Sequence, residues 1–395
     1  MPPRGRSMRS ESPDSETGLT PAAGLLPAGL RDVLPPRAEW EAQASESLLA
    51  SFRRHGYARV KPPLIEFEET LLAGSGQDLA SQMFRVMDPV SQRMMALRND
   101  ITLQVARIAA TRLRDAVRPL RVAYAGQVLR VRGSQLRPER QFAQAGFELI
   151  GSDALAADVE VAVLAAEAVA VLGVPGLSLD ITQPLLAPAI MEAMGLEAKQ
   201  ARAARRALDR KDAAELKQVG GNAAPTLLKL LELAGPARAA VDGLKALKLP
   251  AEAAQIVADL DALVREVSEA APDLLVTLDP GEFRGFEYHM GISFTLFARN
   301  VRGELGRGGR YVTPAGEPAT GFTLYLDSVM RALPPQPPQE LVYLPFGTPR
   351  SQGAKLRREG HNTWAALQKE EGDIRKAAKA AGCSHWWDGK AVQAT

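Results

Sequence analysis

Apolar residues at four-residue spacing, Trp40, Ala44, Leu48 and Phe52, form one stripe and predict a helix from about residue 36 to 54. Gly56 is a suitable stop for it. Residues 57–65 read as a strand whose end is marked by Pro62-Pro63. The stretches 121–132 and 140–150 each alternate in strand fashion, with a polar loop containing Gly133 and Pro138 between them. They predict an antiparallel hairpin with a long tip. An Ala- and Val-rich helix is expected over 156–172. From 194 to 272 the text turns to Ala, Leu, Lys and Glu at helical spacing, broken at Gly220-Gly221 and Gly235-Pro236. Strand-like patterns return at 283–298 and 320–325. Beyond a stiff Pro-rich linker at 334–338, a strand is expected at 341–345 and a helix near 373–381.

This order of runs predicts an α+β fold, an antiparallel sheet flanked by helices. The expected organisation is a disordered tail over 1–20, a core in two parts (21–193 and 273–333), a helical insertion over 194–272, and a linker with a small C-terminal α/β domain over 334–395. The chain has 395 residues, 46% of them hydrophobic, ample for a sizeable core. Its 48 basic and 46 acidic side chains leave a net charge of +2. A dedicated nucleic-acid binder usually carries a clear basic surplus, so this balance argues against DNA or tRNA as partners. Cys383 is the only cysteine, which excludes an intrachain disulfide framework and a Cys-based zinc site. A reducing, cytoplasmic setting fits. No apolar run approaches the ~20 residues that span a bilayer, so no membrane association is expected.

Along the second hairpin strand, Gln144, Gly146 and Glu148 share one face, while Ala143, Ala145, Phe147 and Leu149 share the other. On the first strand, Val128, Arg130 and Arg132 also share a face. A carboxylate beside an amide suits an ammonium or imidazole group, and arginine suits a carboxylate or phosphate. On spacing alone, a solvated strand face with ordinary cross-strand charge pairs is the simpler explanation. The segment Arg284-Gly285-Phe286-Glu287-Tyr288-His289-Met290-Gly291 sets a cation, an acid and aromatics among glycines, as a backbone approaching a ligand would; a bulged strand explains it nearly as well. His289 has no second histidine or acid at metal spacing, so no metal is expected. Gly306-Arg307-Gly308-Gly309-Arg310-Tyr311 reads as a phosphate-facing loop or a flexible turn, and matches neither the P-loop nor the dinucleotide fingerprint.

Taken in order, these segments resemble the class II histidyl-tRNA synthetases over about residues 21–333. The resemblance is carried by residues 27–35, Pro63-Leu64-Ile65-Glu66, Leu97-Arg98-Asn99-Asp100-Ile101-Thr102, Arg140-Gln141-Phe142-Ala143-Gln144, Glu148-Leu149-Ile150-Gly151, Arg284-Gly285 and Gly308-Gly309-Arg310-Tyr311. It implies the class II fold, with motif 1 as a dimer interface and motifs 2 and 3 as the nucleotide site. It also implies a histidine pocket at Glu66, Arg130, Gln144, Glu148, Arg284 and Tyr288.

The departures from that family are specific. Tyr325-Leu326-Asp327-Ser328 stands where synthetase motif 3 has Gly-Leu-Glu-Arg, so a serine replaces the arginine that clamps ATP. In motif 2 the family's Phe-Arg-x-Glu is Leu129-Arg130-Val131-Arg132, a charge reversal. Losing one fixed cation at a reacting phosphate costs orders of magnitude in rate. The stretch after the Pro-rich linker is too short for a whole anticodon-binding domain. This combination is similar to the regulatory subunits of ATP phosphoribosyltransferase, synthetase paralogues that partner the short-form catalytic subunit. The resemblance implies no catalytic residues, no cofactor, a homodimer through motif 1, a hetero-oligomer with the catalytic subunit, and histidine as effector of the first step of histidine biosynthesis. A truncated histidyl-tRNA synthetase is the alternative.

Overall fold

The computed structural model describes residues 24–72, 80–134, 137–282, 289–335, 337 and 339–395. The expected tail over 1–20, Arg284, Tyr288 and the start of the strand expected from 283 lie outside the described residues. Sixteen strands are described, in chain order: β1 (Ala58–Arg59), β2 (Ile65–Phe67), β3 (Arg85–Met87), β4 (Met94–Leu97), β5 (Leu120–Leu129), β6 (Gln141–Ile150), β7 (Leu177–Thr182), β8 (Gly235–Pro236), β9 (Leu275–Asp279), β10 (His289–Ala298), β11 (Gly306–Val312), β12 (Pro318–Tyr325), β13 (Leu341–Leu344), β14 (Asn362–Ala365), β15 (His385–Trp387) and β16 (Val392–Ala394). The chain forms two compact units. One comprises Glu41–Leu333 with the described residues before Leu34; the other comprises Leu34–Trp40 and Pro334–Thr395.

In the larger unit nine strands make one sheet in the order β1-β5-β6-β12-β11-β10-β7-β9-β8. Its pairs are antiparallel except β1 with β5 and β7 with β9. A second sheet, β2-β4-β3, is antiparallel throughout. The stripe Ala44, Leu48 and Phe52 on the helix Arg37–Arg54 is buried, and Phe52 packs 4.7 Å from the ring of Phe147 on β6. The helix Leu155–Val171 lies on the same core, with Val161, Leu164 and Val169 fully buried. So do the helices between Ala198 and Ala270: Leu208, Leu227, Val241 and Leu260 share one buried cluster with Phe294 and Leu296 of β10. Their breaks fall at the glycines around 220 and at Gly235-Pro236. Among the described residues no helix is long and apolar enough to cross a membrane.

Three sequence expectations need correction. The strand expected over 57–65 is interrupted: only Ala58–Arg59 and then Ile65–Phe67 are extended, in different sheets, because Pro62-Pro63 supply no amide hydrogens for a continuous ladder. The first hairpin strand ends at Leu129, so Val128, Arg130 and Arg132 do not share a face; Val128 is a core residue and Arg132 is exposed. The glycine-rich text at 306–311 is neither loop nor turn but the strand β11, inside the large sheet. Its glycines serve close approach: a Cβ on Gly308 would stand 2.2 Å from the carbonyl oxygen of Gly321 on β12.

The smaller unit carries a four-stranded sheet in the order β14-β13-β15-β16. β13 is parallel to both its neighbours, and β16 closes the sheet antiparallel to β15. The helix expected near its end spans Ile374–Ala380, with the Asp373 carboxylate accepting from the Arg375 amide as N-cap.

Candidate functional site

The strand β6 runs between β5 and β12, and its polar face carries the site. Gly146 sits opposite Tyr124 on β5 and Thr323 on β12; Glu148 sits opposite Gly321 on β12. That face is buried rather than solvated: Gln144 is 0% exposed and Glu148 1%. This overturns the simpler reading from spacing, because a strand in the middle of a sheet can be covered on both faces.

Two hydroxyls hold the Glu148 carboxylate. Tyr124 donates to Oε1 at 3.1 Å and Tyr311 donates to Oε2 at 2.9 Å. The Tyr124 hydroxyl also lies 2.7 Å from Thr323 Oγ1 and 3.1 Å from Thr102 Oγ1. Gln144 faces the loop before the helix Thr102–Ala110. Its Nε2 donates to Asp100 Oδ2 at 3.0 Å, and its Oε1 accepts from the Ile101 amide at 3.2 Å. Asp100 Oδ1 in turn accepts from the Thr102 amide at 2.8 Å. Between these groups lies a cavity of about 30 Å³, lined among others by Asp100, Thr102, Glu148, Arg307, Tyr311 and Tyr325. That volume is on the order of a single water.

Burial pushes the Glu148 carboxyl up to about 7; the nearby Asp100 charge adds to this, and the hydroxyl donors oppose it. Burial, and then the charges of Glu148 and Asp100, hold the Tyr124 hydroxyl well above its ordinary value. Two acids converging in a narrow, hydroxyl-lined space favour a cationic ligand, whose charge would offset theirs.

The other sequence candidates are placed elsewhere. Glu66 on β2 accepts from Gln104 Nε2 at 2.8 Å and from Arg107 Nη2 at 2.5 Å, and does not line the cavity. Arg130 lies just past β5, its guanidinium 5.1 Å from the Phe142 ring, and does not line it either. Arg98 is buried and knits backbone together, donating to the carbonyls of Gln127 and Pro62 at 2.8 and 3.1 Å. Sequence reasoning missed Tyr124 and Thr323. The signal available was Gly146, the one position on the polar face of β6 that leaves room for neighbouring side chains.

Beside the cavity, four arginines and three acids form a paired cluster, in which Arg31 reaches Glu139 at 3.6 Å. Arg137 stacks 3.8 Å over the Tyr325 ring and pairs with Glu304 at 3.4 Å and Asp327 at 3.5 Å. Arg307 pairs with Glu304 at 3.3 Å. Arg331 reaches Asp327 at 3.2 Å and Glu139 at 3.7 Å, and donates to the buried Ser328 hydroxyl at 2.9 Å. Burial works to raise Glu304, but the charges of Arg307 and Arg137 outweigh it and hold the carboxyl below the usual range.

The family model for histidyl-tRNA synthetase matches residues 29–329. The ATP phosphoribosyltransferase regulatory subunit of Rhodospirillum centenum is 54% identical over 376 residues, covering 95% of this chain and 97% of that protein. The protein of the same name from Paramagnetospirillum magneticum is 57% identical over 364 residues, covering 91% and 95%. The chain belongs to the ATP phosphoribosyltransferase regulatory subunits, a branch of the histidyl-tRNA synthetase family. A solved structure from Bacillus halodurans, described as an ATP phosphoribosyltransferase regulatory subunit/histidyl-tRNA synthetase, superposes with a TM-score of 0.78 at 25% identity, covering 91% of this chain and 97% of that one. Histidyl-tRNA synthetase from Nostoc superposes at 0.77 and 20% identity over 92% and 90%, which shows the shared class II fold. The α+β architecture expected from the order of elements is thereby established for this member of the regulatory-subunit family.

Within that fold Gly321 is the tightest position of the site. A Cβ there would stand 1.6 Å from Glu148 Oε2, on a carboxylate already held by two tyrosines. Gly321→Ala is expected to cost about 1–3 kcal/mol through overpacking. A lowered urea midpoint at unchanged m-value would register it; an unchanged midpoint would show that the carboxylate relocates freely.

Proposed function

We propose that the chain is the histidine-responsive, non-catalytic partner of a catalytic ATP phosphoribosyltransferase, acting in the cytoplasm at the first step of L-histidine biosynthesis. The observation that carries this reading is the match of 54% and 57% identity, over nearly the whole length, to proteins named as regulatory subunits. The chemistry of the site agrees with it. Ser328 stands where the resemblance puts the synthetases' phosphate-clamping arginine, and the arginines nearby, Arg137, Arg307 and Arg331, are each engaged by Glu304, Asp327 or Glu139 rather than held ready for a phosphate. The buried Glu148 with the half-buried Asp100 keeps the character of a site for an ammonium or imidazolium group. On this reading synthetase activity is lost, while Glu148 binds histidine together with the other positions that the resemblance assigns, Glu66, Arg130, Gln144, Arg284 and Tyr288. The homodimer forms through the motif 1 region, and the helical segment over 194–272 is an insertion in the synthetase-like core. Histidine acts by binding one arrangement of the hetero-oligomer more tightly than another, since only differential affinity can shift an equilibrium.

Two measurements test this. Mixing the purified chain with a short-form catalytic subunit is expected to switch on phosphoribosyl transfer and render it inhibitable by histidine. Histidine-dependent ATP–pyrophosphate exchange by the chain alone is expected to stay at background. Robust exchange, without any effect on the transferase, would assign the chain to the synthetases instead.

A further inference from the structure

A second cavity, of about 360 Å³, lies away from the Glu148 site. Its walls come from the last turns of the helix Leu155–Val171 (Ala166, Glu167, Ala170), the start of β7 and the loop before it (Val174, Gly176, Leu177), and residues 270–274. This volume falls in the range of small-molecule sites, roughly 300–1,000 Å³. The space exists because its walls are built largely of small residues, among them Ala166, Ala170, Gly176, Ala270 and Ala271.

The polarity of this cavity is one-sided. Among the described residues, the charged side chains lining it are Glu167 and Asp273, both carboxylates. Two helices also end here, Leu155–Val171 and Ala251–Ala270, and helix C-termini present partial negative charge from their last carbonyls. Two basic side chains stand beside it among the described residues: His55, whose Nε2 lies 3.3 Å from Glu167 Oε2, and Arg299, which packs against Gly176. His55 engages Glu167 from the helix Arg37–Arg54 side, while Asp273 lines the cavity. The rest of the lining is apolar, and the adjoining Val171 and Leu275 are 63% and 58% exposed. An apolar chamber with carboxylates and helix C-termini around it suits a ligand with an aliphatic body and a positive head.

We propose that this cavity is a binding site for a small organic cation, an alkylammonium or alkylguanidinium with an aliphatic stem. The stem lies against Ala166, Ala170, Val174 and Leu177, and the head lies toward Asp273 and the C-terminus of the helix Ala251–Ala270. Neither the histidine site nor phosphoribosyl transfer requires it.

The test uses the full chain and three probes of equal length, n-hexylamine, hexan-1-ol and hexanoate, titrated calorimetrically at pH 7.5. Saturable binding of hexylamine is expected, at least tenfold tighter than hexanol, with hexanoate weaker still. Asp273→Asn, at an exposed position, is expected to weaken hexylamine at least fivefold while leaving the melting temperature unchanged. Ala170→Leu, also exposed in the native chain, is expected to abolish binding by filling the chamber. Equal binding of amine and alcohol, no saturable binding of the amine, or an amine affinity untouched by both substitutions would each overturn the proposal.

Discussion

Asp158→Ala is expected to lower the stability of the chain by about 3–5 kcal/mol, the range for removing one partner of a buried ion pair. Asp158, 1% exposed, sits in the first turn of the helix Leu155–Val171. It accepts from Arg310 Nη2 at 2.6 Å and Nε at 3.2 Å, and from the Thr320 hydroxyl at 2.7 Å. Thus one carboxylate ties the helix to β11 and β12 together. Removing it strands a guanidinium whose side chain is only 21% exposed, and leaves the Thr320 hydroxyl without its acceptor. The remaining acceptors of Arg310, the carbonyls of Asp153 and Ala154, satisfy hydrogen bonds but carry no full negative charge. The position near a helix N-terminus adds to the loss, since a negative charge is favourable there. Urea unfolding reads the difference directly. A double variant, Asp158→Leu with Arg310→Met, is expected to recover most of it, because the stranded charge goes too. A loss below about 1 kcal/mol in Asp158→Ala would mean that Arg310 swings to water, and that the tie between helix and sheet is apolar.

The second large effect concerns Glu148 and has a definite pH dependence. Its carboxyl is raised from 4.5 to about 7 by burial in the folded chain. Between those two values the folded state binds a proton that the unfolded state has released. Stability is therefore lost as pH rises through the window from about 4.5 to 7, and the loss is complete above it. At 1.36 kcal/mol per unit, the full effect is on the order of 3 kcal/mol. Glu148→Gln removes the titration while keeping an oxygen to accept from Tyr124 or Tyr311. The variant is expected to match the parent near pH 4 and to exceed its stability by up to about 3 kcal/mol at pH 8. Histidine binding is expected to fall in the same variant, since a cationic ligand offsets the buried charge in the parent. Thermal unfolding across pH 4–8, with and without histidine, checks both halves. A stability difference that does not vary with pH would show that the carboxylate stays ionised throughout.

Much of this was legible along the chain, and the reasons differ residue by residue. The stripe through Ala44, Leu48 and Phe52 specified its helix because a 3.6-residue period puts those side chains on one side. Alternation on β6 placed Gln144 and Glu148 on a common face for the same kind of local reason. Their burial was not legible, because alternation says which residues face together and not what covers them. Nor was the role of Gly306, Gly308 and Gly309, since a glycine run looks alike in a flexible turn and in a strand pressed against β12.

The sequence by itself determined the hairpin of β5 and β6, the helices Arg37–Arg54 and Leu155–Val171 on either side of it, and the family, since each is written in residue types at short spacing. The tertiary structure alone decided the partners of Glu148. Tyr124 and Tyr311 come from positions 24 and 163 residues away along the chain, brought to one carboxylate by the pairing of β5, β6, β12 and β11, and Thr323 on β12 holds the Tyr124 hydroxyl in turn. It also decided where Glu66 and Arg130 point, into an ion pair with Arg107 and onto the Phe142 ring. Local periodicity is a property of a short segment. Desolvation, which raises the Glu148 carboxyl to about 7, belongs to the whole packed sheet.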